Sequence, residues 1–242
     1  MNIEQALQGN YSFSVHPEMA LQQYQELGFH VEKNLFDLAY CDFLIEQAYT
    51  LPAAQVKNFK PVLMPHKENP VFLEAMKNAK VVNVMEKLVG GTPAGIQTQF
   101  FYCKPGTRGF SLHQDNFYVQ AEHNQFVSIW VALVDTFPGN GGMIIYPGSH
   151  KEGDLPVRKL DLELDPGQDR NANNEETVVP EAYRPVHLTL QKGSALFIHA
   201  HLVHGSNTNQ SDQSRYALLN LYIREGTAFR SGNSAQRIPI TL

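Results

Sequence analysis

From about Gly95 onward the chain breaks into short runs of β-branched and aromatic residues, and this rhythm constrains the fold more than any other feature. The runs are Ile96 to Tyr102, Phe126 to Val134, Met143 to Tyr146, Val186 to Leu190, Ala195 to Ile198 and Tyr216 to Ile223. Pro-Gly, Gly-Asn-Gly-Gly and Asn/Ser-rich stretches separate them. Runs of that length between such breakers read as strands. The first ninety or so residues read instead as helices. Pro17 opens a segment whose Met19, Leu21, Tyr24 and Leu27 fall near helical spacing, and Gly28 closes it. A second helix is expected over much of Asp37 to Leu51, stopped by Pro52. A third is expected from about Pro70 through Phe72, Met76, Val82, Met85 and Leu88 to Gly90-Gly91. Many short strands after a helical prelude predict a mainly β fold with flanking helices, its core a double-stranded β-helix (a cupin-like jelly roll).

At 242 residues the chain can bury one large core. The expectation is a single domain over 1–242, with a mostly helical scaffold over 1–92 and the jelly-roll core over 93–242. A net charge of −5 gives no electrostatic footing for nucleic acid. Only two cysteines, Cys41 and Cys103, occur, which implies no disulfide framework and fits a reducing cytoplasm. The opening residues lack the basic and apolar regions of a signal peptide, and no apolar run reaches membrane-spanning length. A cytoplasmic chain acting on a small molecule, without nucleic acid or membrane, is therefore expected.

One stretch breaks the strand rhythm. Residues 151–185 are polar and carry nine acidic side chains against five basic ones, a local charge of −4. A long insertion without regular periodicity inside a compact domain is either a lid or binding loop, or a solvated excursion without a role. Its acidity would favour a cationic or amine-bearing substrate.

The chemistry-bearing residues begin with His113-Gln114-Asp115, which follows the turn Pro105-Gly-Thr-Arg-Gly109 and the expected strand Phe110 to Leu112. Residues two apart on a strand share a face, so His113 and Asp115 can grip one ion while Gln114 points away. A third ligand would complete the two-histidine, one-carboxylate facial triad of non-haem Fe(II) oxygen chemistry. Three histidines compete for that place: His199, His201 and His204. His204 has the wrong strand parity unless a turn intervenes near Leu202. It is favoured by the small Gly205-Ser206 that follows and by Arg215, which stands just before an apolar strand. His199 and His201 read as hydrogen-bonded strand histidines. The planar fork of Arg215 matches a carboxylate bidentately, as a dicarboxylate co-substrate would need; the alternative is a surface arginine at a strand end.

These residues resemble the phytanoyl-CoA dioxygenase family of Fe(II)/2-oxoglutarate oxygenases. The segment Gly193-Ser-Ala-Leu-Phe-Ile-His-Ala-His-Leu-Val-His204-Gly-Ser-Asn-Thr-Asn209 is similar to the family's strand bearing the distal histidine. Gly139 to His150, with its Asn-Gly and Pro-Gly-Ser-His, and Gln22 to Val31 are similar to two further family stretches. The resemblance implies His113, Asp115 and His204 as metal ligands and Arg215 with Ser206 as the seat of the distal 2-oxoglutarate carboxylate. It implies Trp130 in the co-substrate pocket, though Trp130 could equally be a core aromatic, and Gln99 and Tyr102 in the pocket wall. The family's accessory lysine has no counterpart that can be picked from the region Lys57 to Lys67. Asp115 fills the position that halogenating relatives leave open for chloride, so hydroxylation is implied. The expected cofactors are Fe(II), 2-oxoglutarate and O2, with succinate and CO2 released. Two alternatives stay open: a metal-bearing, cupin-like ligand-binding or sensor protein without 2-oxoglutarate turnover, and a cupin-like enzyme using the metal without 2-oxoglutarate.

Overall fold

The computed structural model describes residues 3–55, 61–122, 124–161 and 174–242, together with the backbone of Gln168–Asp169. Its centre is a six-stranded antiparallel sheet. The strands are β1 (Phe29–Glu32), β2 (Val62–Leu63), β3 (Pro93–Cys103), β5 (Phe126–Ala132), β11 (Ala195–His199) and β13 (Arg215–Arg224), in the order β1-β11-β5-β13-β3-β2. A facing three-stranded sheet consists of β6 (Met143–Ile145), β10 (Val186–His187) and β12 (His204–Ser206), ordered β10-β6-β12. Two packed antiparallel sheets with helices on one outer face make the jelly roll that the strand rhythm predicts.

Strand parity sorts the two faces of the large sheet. Phe100, Tyr102, Val127, Ile129, Val131, Phe197, Leu218 and Tyr222 point to one side and merge with Phe72, Met76, Val81, Met85 and Leu88 from the helices. Phe101, Trp130, Ala132, Leu196, Ile198 and Ala217 point to the other, against Met143 and Ile145 of the small sheet and Leu188 and Leu190 just after β10. Central β5 is buried along its whole length, as its apolar run Phe-Val-Ser-Ile-Trp-Val-Ala requires.

The helical prelude differs from expectation in two places. After α1 (Ile3–Leu7), helix α2 (Pro17–Leu27) ends as anticipated on Gly28, whose φ of 79° suits a residue without Cβ. The chain then enters β1 at once, so the first ninety residues are not purely helical: β1 lies at the sheet edge with Phe29 opposite Ile198. Helix α3 (Leu38–Tyr49) falls inside its expected span. The single helix expected from Pro70 to Gly90 is two, α4 (Val71–Met76) and α5 (Ala79–Val89). Asn78 divides them, because its side chain accepts the Lys80 N–H at 3.0 Å and so caps a new helix rather than continuing the old one.

The segment 151–185 is not structureless where it is described. Strand β7 (Val157–Lys159) pairs antiparallel with β9 (Glu175–Thr177), placing Arg158 opposite Glu176 and Lys159 opposite Glu175. Short β4 (Gly109–Phe110) pairs in parallel with β8 (Gln168–Asp169). The rest of the expected lid, 162–167 and 170–173, lies outside the described residues. No helix among the described residues is long and apolar enough to cross a membrane, and Cys41 and Cys103 are both buried and form no disulfide among the described residues.

Candidate metal centre

His113 and His204 are brought together by backbone pairing. They form an isolated antiparallel bridge in which each N–H donates to the other's carbonyl, at 2.8 and 3.0 Å. Residues directly opposite in such a bridge carry their side chains on one face, and the two imidazole centroids are 4.3 Å apart. Just before the bridge, Gly109 lets the strands approach: a Cβ there would lie 2.1 Å from the Ser206 carbonyl oxygen.

The turn needed to bring His204 round is present. Strand β11 ends at His199, and the chain bends through Ala200 and His201 with the Leu202 N–H donating to the His199 carbonyl at 2.9 Å. His199 is engaged with the Asn124 side chain at 2.7 Å and His201 with Asn116 and Asp154, as hydrogen-bonded histidines outside the triad. The serine of the Pro-Gly-Ser-His stretch, Ser149, accepts the Val203 N–H at 2.9 Å and fixes the backbone next to His204.

Asp115 reaches the site by a different route from the expected strand. Its backbone is helical (φ −60°, ψ −31°), and it precedes the short turn α6 (Asn116–Val119). Alternation on a strand therefore does not explain how His113 and Asp115 meet; a bridge followed by a helical turn does. Gln114 does point away, donating to the Gly153 and His201 carbonyls.

The donor atoms converge. Asp115 Oδ1 is 3.7 Å from Nε2 of His113 and 3.7 Å from Nε2 of His204, and the three ligand atoms lie within 4.8 Å of one another. Each imidazole Nδ1 faces the carbonyl two residues earlier, Ser111 at 2.8 Å and Leu202 at 3.0 Å. A carbonyl only accepts, so Nδ1 carries the hydrogen and Nε2 turns a lone pair towards the site. Burial, together with the neighbouring His204, pushes the His113 pKa down to about 4, which keeps that ring neutral. The Ser128 hydroxyl donates to Asp115 Oδ2 and leaves Oδ1 aimed at the histidines. Two imidazoles presenting Nε2 and a carboxylate oriented in this way suit a divalent first-row metal such as Fe(II).

Beside the triad opens a cavity of roughly 690 Å3. Arg215, the first residue of β13, lines it at 2% exposure. Its Nη2 meets Cys103 Sγ at 2.7 Å and its guanidinium lies 5.5 Å from the Trp130 ring centroid, while its Nε is buried without a hydrogen-bond partner. No carboxylate pairs with it among the described residues. Burial pulls its pKa below the ordinary arginine value. An uncompensated buried cation is costly, and an anionic ligand removes the cost. Ser206 lines the same wall; its Oγ accepts the Phe110 N–H at 3.0 Å, so its own proton is available to a ligand.

Trp130 and Gln99 also line the cavity, but Tyr102 does not. Tyr102 sits on the helical face of β3 and donates its hydroxyl to the Ala48 carbonyl at 2.6 Å. Three positions from Gln99, it has the opposite strand parity. Of the lysine region, Lys57 and Lys60 lie outside the described residues, and Lys67 ends a 3-10 turn. Sequence reasoning missed Ser128 and Gln97, which share the strand faces of Trp130 and Gln99 and were legible by alternation. It also missed Tyr118, Arg230 and Arg237, which come from a short helical turn and an irregular C-terminal segment without such a signal.

Comparisons with known proteins fit this geometry. The model of the phytanoyl-CoA dioxygenase (PhyH) family matches residues 29–217. Phytanoyl-CoA dioxygenase 1 of Oryza sativa subsp. japonica is 32% identical over 174 residues, 71% of this chain and 60% of the rice protein. Phytanoyl-CoA dioxygenase domain-containing protein 1 of Mus musculus is 27% identical over 88% of this chain and 71% of its own length. The chain thus spans less than two thirds of the rice relative. Among solved structures, the epimerase SnoN in complex with Fe3+, alpha ketoglutarate and nogalamycin RO has the same fold, with a TM-score of 0.74 at 18% identity over 88% of this chain and 85% of that one. This chain belongs to the phytanoyl-CoA dioxygenase family.

Proposed function

We propose that the chain is a non-haem iron, 2-oxoglutarate-dependent dioxygenase that hydroxylates an unactivated C–H bond of a small-molecule substrate, releasing succinate and CO2. The observation that carries this reading is the meeting, in one cavity, of the His113–Asp115–His204 donors with a buried arginine that has no counter-ion among the described residues. Iron with 2-oxoglutarate supplies the oxidising power, by oxidative decarboxylation of the 2-oxo acid with O2. The chain supplies position. The Ser111 and Leu202 carbonyls hold the two imidazoles in the ligating tautomer, and Ser128 holds the carboxylate. Arg215 offers its fork, and Ser206 its hydroxyl proton, to the distal carboxylate of 2-oxoglutarate. Trp130 and Phe101 wall that end of the cavity and limit water there. Asp115 as third ligand favours hydroxylation over halogenation.

The whole chain, 1–242, serves as one oxygenase domain: 1–92 is the scaffold and also lends β1 and β2 to the sheet, and 93–242 is the core. The described parts of segment 151–185 act as a cover beside the site. They are tied to residues on both sides of His113, by Thr177 N–H to the Leu112 carbonyl at 2.7 Å and by Leu155 N–H to Gln114 Oε1 at 2.8 Å. Two buried cysteines, Cys41 and Cys103, outside any disulfide among the described residues fit a cytoplasmic setting.

The test is succinate release and oxygen uptake with Fe(II) and 2-oxoglutarate. His204→Ala should abolish both; turnover that persists would remove the triad assignment. A wild-type chain that binds the metal but never consumes 2-oxoglutarate would instead mark a ligand-binding or sensor protein.

A further inference from the structure

After β13 the chain folds back over α6, the turn that begins at Asp115. The Arg230 N–H donates to the Val119 carbonyl at 2.7 Å. The Arg230 guanidinium donates to the carbonyls of Tyr118 at 3.1 Å and Phe117 at 2.9 Å. Arg237, 9% exposed, donates through Nη1 to the Tyr118 and Arg230 carbonyls, both at 3.3 Å, and to that of Ser231 at 3.4 Å. Both arginines line the cavity, and neither forms an ion pair among the described residues. The only acidic residue in the described lining is Asp115, a proposed metal ligand. None of the acidic side chains of 151–185 that are described lines the cavity.

The neighbouring polar groups offer donors rather than acceptors. Arg237 Nε can only donate, so the Gln97 atom 2.7 Å away is its Oε1. Gln97 then donates its amide to Gln99 Oε1 at 3.1 Å. Gln99 is left with its own amide hydrogens for the cavity. Tyr118, also in the lining, has a buried hydroxyl without a partner. The charge balance points the same way. Divalent iron, the Asp115 carboxylate, the 2-oxoglutarate dianion and Arg215 cancel one another, so the described lining of a fully loaded site keeps the positive charges of buried Arg237 and of the more exposed Arg230.

We infer that the substrate is an organic anion whose carboxylate, or group of like charge and shape, is received by Arg237 and Arg230. Its apolar body lies over Leu219, Leu221 and Val119, which line the same cavity. This rests on the iron and 2-oxoglutarate reading and adds the substrate class. Arg237 and Arg230 contact the substrate and set specificity, while the metal and 2-oxoglutarate depend on other residues.

The experiment uses the full chain, loaded anaerobically with Fe(II) and saturating 2-oxoglutarate. The visible charge-transfer band of that complex is recorded before any probe is added; its absence in the wild type breaks the activity reading, not the substrate class. The probes are short linear, branched and aromatic carboxylic acids, each paired with its primary amide and titrated calorimetrically. At least one acid should bind roughly tenfold or more tightly than its amide, with the band retained. Arg237→Gln should cut that preference to about twofold or less, and Arg230→Gln should cut it several-fold, with the band unchanged in both. Arg237→Lys should keep part of the preference, which separates charge recognition from loss of the fold-back. The inference is overturned if amides bind as well as acids, or if no acid binds without displacing 2-oxoglutarate. It is also overturned if the preference survives both glutamine variants.

Discussion

The two faces of the large sheet are built from the same strands and do opposite things. On the helical face of β3 and β13, Phe100, Tyr102, Leu218 and Tyr222 bury large side chains, and the polar atoms of the tyrosines are satisfied: Tyr102 donates to the Ala48 carbonyl and Tyr222 to that of Met76. On the cavity face of the same strands, Gln97, Gln99 and Arg215 alternate with Phe101, Leu219 and Leu221, and polar atoms are left open, the Arg215 Nε among them. The tyrosines of one face close their hydrogen bonds, and the other face keeps polar atoms for a ligand. A residue's strand parity therefore decides whether its loss is felt in stability or in binding.

The largest expected effect lies on the helical face. Phe100, fully buried and 4.6 Å from the Tyr102 ring centroid, should cost ~3–5 kcal/mol of unfolding free energy as Phe100→Ala. Denaturant melts check this, and the Michaelis constant for 2-oxoglutarate in the folded fraction should stay near wild type. A comparable rise in that constant would break the division of labour. Across the sheet, Arg215→Ala should raise the Michaelis constant for 2-oxoglutarate by roughly 100-fold, about 3 kcal/mol, with a much smaller change in melting. An unchanged constant would remove Arg215 from the 2-oxoglutarate seat, and metal-dependent activity that needs no 2-oxo acid and survives Arg215→Ala would favour a cupin-like enzyme. The smallest effect is expected for Ser128→Ala, where Asp115 loses its orienting donor. Iron affinity should fall about tenfold, measured by competition with a chelator, with 2-oxoglutarate binding to the residual metal complex little altered.

Much of this contrast could be read before any coordinates. Period-2 alternation puts Trp130 and Gln99 on one side, and the order His-x-Asp, distal His, Arg points to a metal and a carboxylate. The same alternation argues against grouping Tyr102 with Gln99, since residues three apart on a strand face opposite ways. What stayed hidden depends on contacts distant in sequence or on local capping. Edge strand β1 is four residues long and is defined by its pairing with β11, over 160 residues away. The break between α4 and α5 rests on one side-chain hydrogen bond from Asn78. Asp115 joins His113 through a helical turn that the strand pattern conceals. Arg230 and Arg237 belong to a segment without regular periodicity, whose path is set by carbonyls of α6.

The central claim is that His113, Asp115 and His204 together hold iron. Anaerobic titration of the chain with Fe(II) in saturating 2-oxoglutarate, followed by the visible charge-transfer band, tests it most directly. The account predicts a band that saturates at one iron per chain and is lost in His204→Ala while that variant's melting stays cooperative. A wild-type chain that forms no such complex, or a His204→Ala variant that forms it with undiminished affinity, would contradict it.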